Sequence, residues 1–121
     1  MQLNVLVVDD EKDVVFIIKN LLEESGYSVS KAFNGETAWM KVQNKRPDII
    51  ISDIVMPKLD GWQLLDKIKS NDSTRDIPVI LLTQKDDFDN VYKAFQKGTT
   101  FFLPKPFDRE ALLNALNELD R

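Results

Sequence analysis

Residues 48–53 read Asp48-Ile49-Ile50-Ile51-Ser52-Asp53, three consecutive isoleucines between polar ends. β-Branched side chains suit strands, and a continuous apolar run, unlike an alternating one, belongs to a strand covered on both faces. Such a strand needs helices above and below a parallel sheet. Runs of the same character lie on either side, NVLVV at Asn4–Val8 and PVILL at Pro78–Leu82. Weaker ones are SVSKA at Ser28–Ala32 and TFFL at Thr100–Leu103.

Between these runs the apolar period becomes helical. Val14, Ile17, Ile18, Leu21 and Leu22 recur at helical spacing, and Gly26 stands where a C-terminal stop belongs. Asn34-Gly35-Glu36 opens a second helix carrying Ala38, Trp39 and Val42, which closes before Pro47. Asp60-Gly61 starts a third, with Leu64, Leu65 and Ile68 inward. Asp86–Lys97 forms a fourth, stopped by Gly98, and Asp108 caps a fifth over Ala111–Leu119. Five βα units predict an α/β fold, a doubly wound five-stranded parallel sheet with right-handed crossovers and five helices. No linker or repeat breaks the pattern, so residues 1–121 are read as a single domain.

Composition narrows the chemistry. The chain has no cysteine, hence no disulfide or thiolate metal site, and no histidine, hence no imidazole base or ligand. A net charge of −4 leaves no basic surplus for direct nucleic acid binding. No segment reaches the roughly 20 apolar residues of a membrane span, so no membrane insertion is expected. MQLNVLVVDDE is too short in its apolar part, and too soon acidic, for a signal peptide; a cytoplasmic domain is expected.

The chemically distinctive residues share one kind of position. Asp9 and Asp10 follow the first strand, Asp53 ends the third, Thr83 follows the fourth and Lys105 follows the fifth. Ligands of open α/β sheets bind outside the carboxyl ends of the strands, where the strand order reverses. With order 2-1-3-4-5 the first and third strands meet at that reversal, so Asp9, Asp10 and Asp53 converge, with Thr83 and Lys105 opposite. Each residue alone has a plainer reading: a helix cap for Asp9, Asp10 or Thr83, a turn cap for Asp53, a solvated loop lysine for Lys105. Jointly they form complementary chemistry at four strand ends. Three carboxylates against one ammonium call for a divalent cation, since like charges ~4 Å apart repel by about 4 kcal/mol even at an effective dielectric of 20. With oxygen ligands only, magnesium fits best.

VLVVDDE, DIIISDIVMPKLDG, PVILLTQ and GTTFFLPKPF together resemble the motifs of response-regulator receiver domains, the CheY-like family with a flavodoxin-like sheet. The resemblance runs from about Asn4 to Leu119. It implies that Asp53 is the phosphoacceptor, and that Asp10, Asp53 and the backbone carbonyl of Val55 hold Mg2+, with Asp9 acting through a bound water. It further implies that Lys105 and Thr83 contact phosphoryl oxygens, that Phe102 is the switch aromatic, and that the Lys105-Pro106 bond is cis. The donor implied is a histidine kinase or a histidine phosphotransfer protein, and the receiver of the signal a downstream protein or an output domain. The signalling face implied is the fourth helix, fifth strand and fifth helix, where Phe88, Tyr92 and Phe95 also suggest a phosphorylation-dependent homodimer. Gln84, Thr99 and Thr100 depart from the family's usual residues and bear on lifetime and partner.

Two rival readings use the same residue types. A magnesium-dependent phosphatase with an aspartyl nucleophile usually carries that nucleophile after the first strand, beneath a cap domain. A flavin carrier would need a phosphate-cradling loop where this chain has acidic Asp9-Asp10-Glu11. The receiver reading accounts for more of the sequence than either.

Overall fold

Backbone pairing joins the apolar runs into one parallel sheet in the order β2-β1-β3-β4-β5. The strands are β1 (Asn4–Val8), β2 (Ser28–Ala32), β3 (Ile49–Asp53), β4 (Val79–Gln84) and β5 (Phe101–Lys105). The structure is a computed structural model that describes residues 2–84 and 101–120, and the backbone only at Gln84. Among the described residues the helices are α1 (Lys12–Glu24), α2 (Gly35–Asn44), α3 (Gly61–Ser70) and α4 (Arg109–Leu119). The predicted helix over 86–97, with Phe88, Tyr92 and Phe95, lies outside the described residues, as do Lys85, Gly98, Thr99 and Thr100.

Successive strand residues point to opposite faces, so each central strand feeds two cores. Leu6, Val8, Ile50 and Leu81 pack with Ala38 and Val42 of α2 and Leu64, Leu65 and Ile68 of α3. Val5, Val7, Ile49, Ile51, Ile80 and Leu82 pack with Val15, Ile18 and Leu22 of α1 and Leu112 and Leu116 of α4. Every residue of β3 is buried, as its unbroken apolar run requires.

The α1 face departs from expectation. Ile17, predicted inward, is 59% exposed, and Val14 is only partly buried, whereas Val15 is fully buried. Seven apolar residues between positions 14 and 22 fit two helical registers, and packing selects the stripe through Val15, Ile18 and Leu22. Ile17 lies roughly 200° around the helix from Val15, which turns it to solvent. Trp39 is likewise only partly buried against its core.

The helix ends follow the predicted signals. Gly26 takes φ 96° just after α1, where its N–H and that of Tyr27 donate to the carbonyls of Glu23 and Leu22. The side chains of Asn34, Asp60 and Asp108 accept from the N–H groups of Thr37, Gln63 and Glu110. Asp60 and Gln63 complete a reciprocal capping box. The Lys105-Pro106 bond is cis.

Candidate functional site

Strand register brings the polar residues to one end of the sheet. Val8 lies opposite Ser52, Asp53 opposite Leu82, Thr83 opposite Pro104 and Gln84 opposite Lys105. Asp53, Thr83 and Lys105 are therefore strand residues; Thr83 and Lys105 lie within their strands and not after them, contrary to expectation, because ladder pairing continues beyond the apolar runs. Asp9 lies just past β1, tied by its N–H to the carbonyl of Ala32 at 3.2 Å.

Two carboxylates and one ammonium form the centre. Lys105 Nζ lies 2.8 Å from Asp9 Oδ2 and 3.3 Å from Asp53 Oδ2. The other oxygens are held by backbone: Asp9 Oδ1 accepts from the Glu11 N–H at 3.0 Å, and Asp53 Oδ1 from the Ile54 N–H at 2.9 Å. Asp9 is fully buried and Asp53 nearly so, while Asp10 is exposed at the rim. One carboxylate oxygen from each of Asp9, Asp10 and Asp53 lies within 4.8 Å of the other two. Asp9 Oδ2 is buried, and the Lys105 ammonium at 2.8 Å is the charge that faces it.

Burial sets the charges on edge. Desolvation pushes the Asp9 carboxyl above the usual carboxylate range, only partly countered by Lys105. Asp53 is raised by the same desolvation and then by repulsion from Asp9. Burial alone would lower Lys105, but the Asp9 and Asp53 carboxylates outweigh it and raise its pKa. A carboxyl with a raised folded pKa contributes stability below the unfolded value and loses it as pH rises through the folded one. At neutral pH Asp9 and Asp53 therefore work against the fold, and Lys105 works for it. Excess negative charge in a buried cluster and a donor set of oxygens alone suit a hard divalent cation.

Thr83 is buried near the end of β4. Phe102 of β5 is half-buried against the core on the α2 and α3 side. Val55, two residues beyond Asp53, is 72% exposed. Two contributors went unread in the sequence. Glu11 Oε1 lies 3.5 Å from Lys105 Nζ, a contact invisible across 94 positions of chain. Gly61, read only as a helix start, donates its N–H to the Ile54 carbonyl at 2.7 Å and leaves no room for a Cβ beside the backbone of Asp53.

The model of the response regulator receiver domain matches residues 5–117. The chain belongs to that family. It is 39% identical to Protein PilG of Pseudomonas aeruginosa over 114 residues, covering 94% of this chain and 84% of PilG. It is 37% identical to Response regulator Rre1 of a Synechocystis strain, covering 91% of this chain but 48% of Rre1. The chain thus spans most of PilG and about half the length of several other relatives. Among solved structures, chemotaxis response regulator CheY4 of Vibrio cholerae superposes with a TM-score of 0.91 at 30% identity, covering 98% of this chain and 99% of that one. The receiver domain of Francisella response regulator 1452 gives 0.90 at 33% identity, covering 98% and 96%. This receiver domain is a phosphoacceptor switch of two-component signalling, and the phosphatase reading is not favoured. No helix among the described residues is long and apolar enough to cross a membrane.

Proposed function

We propose that Asp53 takes the phosphoryl group from a histidine kinase or histidine phosphotransfer protein and that this receiver domain promotes both the transfer and the later hydrolysis. The carrying observation is the position of Asp53: its free oxygen faces Lys105 at 3.3 Å while its other oxygen is pinned by the Ile54 N–H. One Asp53 oxygen forms the new P–O bond as the donor's P–N bond breaks. Lys105 pairs with a phosphoryl oxygen, and the Thr83 hydroxyl donates to another. Asp10, Asp53 and the Val55 carbonyl would hold magnesium, with Asp9 acting through a water. The ion supplies charge neutralisation on the transferred oxygens. Inward movement of Thr83 then makes room for Phe102, half-exposed here, to bury fully, which biases a two-state equilibrium read by a downstream protein, an output domain or a second copy of the chain. Treating the protein with acetyl phosphate and magnesium and mapping the adduct by mass spectrometry tests the assignment; a phosphoryl group on any other residue defeats it.

Asp10→Asn should weaken magnesium binding at least about tenfold, because the exposed rim carboxylate is a charged ligand. Its melting temperature without metal should not fall, since a repelling charge is removed. Magnesium titration followed by Trp62 fluorescence reads the first effect, and unchanged affinity would strike Asp10 from the metal site.

The phosphoryl group should be long-lived. Hydrolysis needs a water in line behind phosphorus, and Val55, exposed beside that approach, has no polar atom in its side chain to hold one. Val55→Asn should speed decay several-fold once the donor is removed. Native decay within seconds, or an unchanged rate in the variant, would show that water access at Val55 does not set the lifetime.

A further inference from the structure

We propose that Glu11 is a positioning residue that retains Lys105 on the acidic side of the pocket and so slows its transfer to an incoming phosphoryl oxygen. The inference rests on the reading of Asp53 and Lys105 given above. Glu11 occupies the N-cap of α1, yet its side chain caps nothing. The shorter carboxylate of an aspartate there would turn toward the free amides of the first helical turn. That of Glu11 turns instead across the pocket mouth to Lys105 Nζ at 3.5 Å. Its backbone N–H meanwhile fixes Asp9 Oδ1 at 3.0 Å, so one residue both orients the buried partner of Lys105 and supplies an outer one.

Lys105 thus stands among three carboxylates, of which two are buried and one is not. Asp9 and Asp53 are 0% and 10% exposed at the side chain, Glu11 66%. An ammonium has three N–H donors, and in this arrangement three carboxylates already surround it, so a phosphoryl oxygen arrives as a fourth. A phosphoryl oxygen arriving on Asp53 must draw Lys105 away from its present partners. Asp9 is walled in and Asp53 is itself the acceptor, which leaves Glu11 as the contact that can be removed without dismantling the pocket.

Glu11→Gln keeps the length and loses the charge; Glu11→Asp keeps the charge but falls short of Lys105, which glutamate itself only just reaches. Phosphorylation of full-length native and variant protein by acetyl phosphate is followed at saturating magnesium, so that metal affinity does not enter. Both variants should take up phosphoryl groups about threefold faster than native, the scale of one exposed ion pair. Melting curves, the readout of a merely structural role, should stay together. Equal rates for all three proteins would overturn the inference, as would slower variants. A faster Glu11→Gln beside a native-like Glu11→Asp would also overturn it, because rim charge alone would then explain the gain. If the native protein takes no phosphoryl group at all, the reading of Asp53 fails and carries this inference with it.

Discussion

Asp53→Ala should abolish phosphoryl uptake while leaving a folded protein that melts within a few degrees of the native one. The loss should be complete. Asp9 is likewise held by a backbone N–H and faces Lys105, but its side chain is fully buried; Asp10 is exposed at the rim. Among these three only Asp53 joins a fixed orientation and an oxygen facing Lys105 to a side chain still open to solvent. Retention of stability follows from the electrostatics. The folded state raises the Asp53 pKa by desolvation first and by Asp9 second. For a carboxyl this means stability present below the unfolded value of 3.8 and lost as pH climbs through the folded value. At neutral pH the ionised Asp53 is a net cost that alanine removes. Against this stands the Ile54 N–H, which loses its acceptor at 2.9 Å, at a cost of about 1–3 kcal/mol if water cannot replace it. Lys105 keeps Asp9 at 2.8 Å, so no unpaired buried cation results. Mass spectrometry after acetyl phosphate treatment and a thermal melt read both halves. Undiminished labelling of the variant would remove Asp53 from its role, and a collapse in melting temperature would make it a structural residue first.

How far the sequence reveals this arrangement depends on what a side-chain pattern can carry. Strand positions and the gathering of Asp9, Asp10, Asp53 and Lys105 are legible because apolar runs end where polar residues begin. Two strand ends are less so: β4 and β5 continue through Gln84 and Lys105 by backbone pairing, which leaves no trace in hydropathy. Ile17 and Val15 exchange places because an over-apolar helix has two plausible buried stripes, and only packing chooses. Glu11 is hidden for another reason. An exposed glutamate after two aspartates reads as surface charge until the fold brings Lys105 to it. Gly61 is hidden most deeply, since its importance lies in an atom it lacks.

Gly61→Ala should damage both stability and phosphoryl uptake, against the ordinary sign of such a change. The residue opens α3, and its φ is not in the left-handed region. Alanine at a helical position is normally better than glycine by roughly 0.5–1 kcal/mol, through backbone entropy and propensity. Here the added Cβ would stand 2.4 Å from the Asp53 carbonyl oxygen and 2.7 Å from the Ile54 Cα. Both are backbone atoms and cannot swing aside as a side chain would. The Asp53 carbonyl also accepts the Ser52 hydroxyl at 2.8 Å, and the Ile54 carbonyl accepts the Gly61 N–H at 2.7 Å. Relief therefore requires moving the end of β3 or the first turn of α3, and either shifts the peptide that aims Asp53 and Val55. Overpacking of this kind costs about 1–3 kcal/mol, which for a domain of this size lowers the melting temperature by roughly 5–12 °C. Uptake should fall even at temperatures where the variant is fully folded. Gly26→Ala is the matching control. It strains a φ of 96° but meets nothing within 4 Å, so it should lose stability of about 1 kcal/mol with uptake unchanged. A Gly61→Ala protein that melts with the native one and takes up phosphoryl groups at the native rate would mean that the β3–α3 junction yields at little cost, and that Gly61 does not aim Asp53.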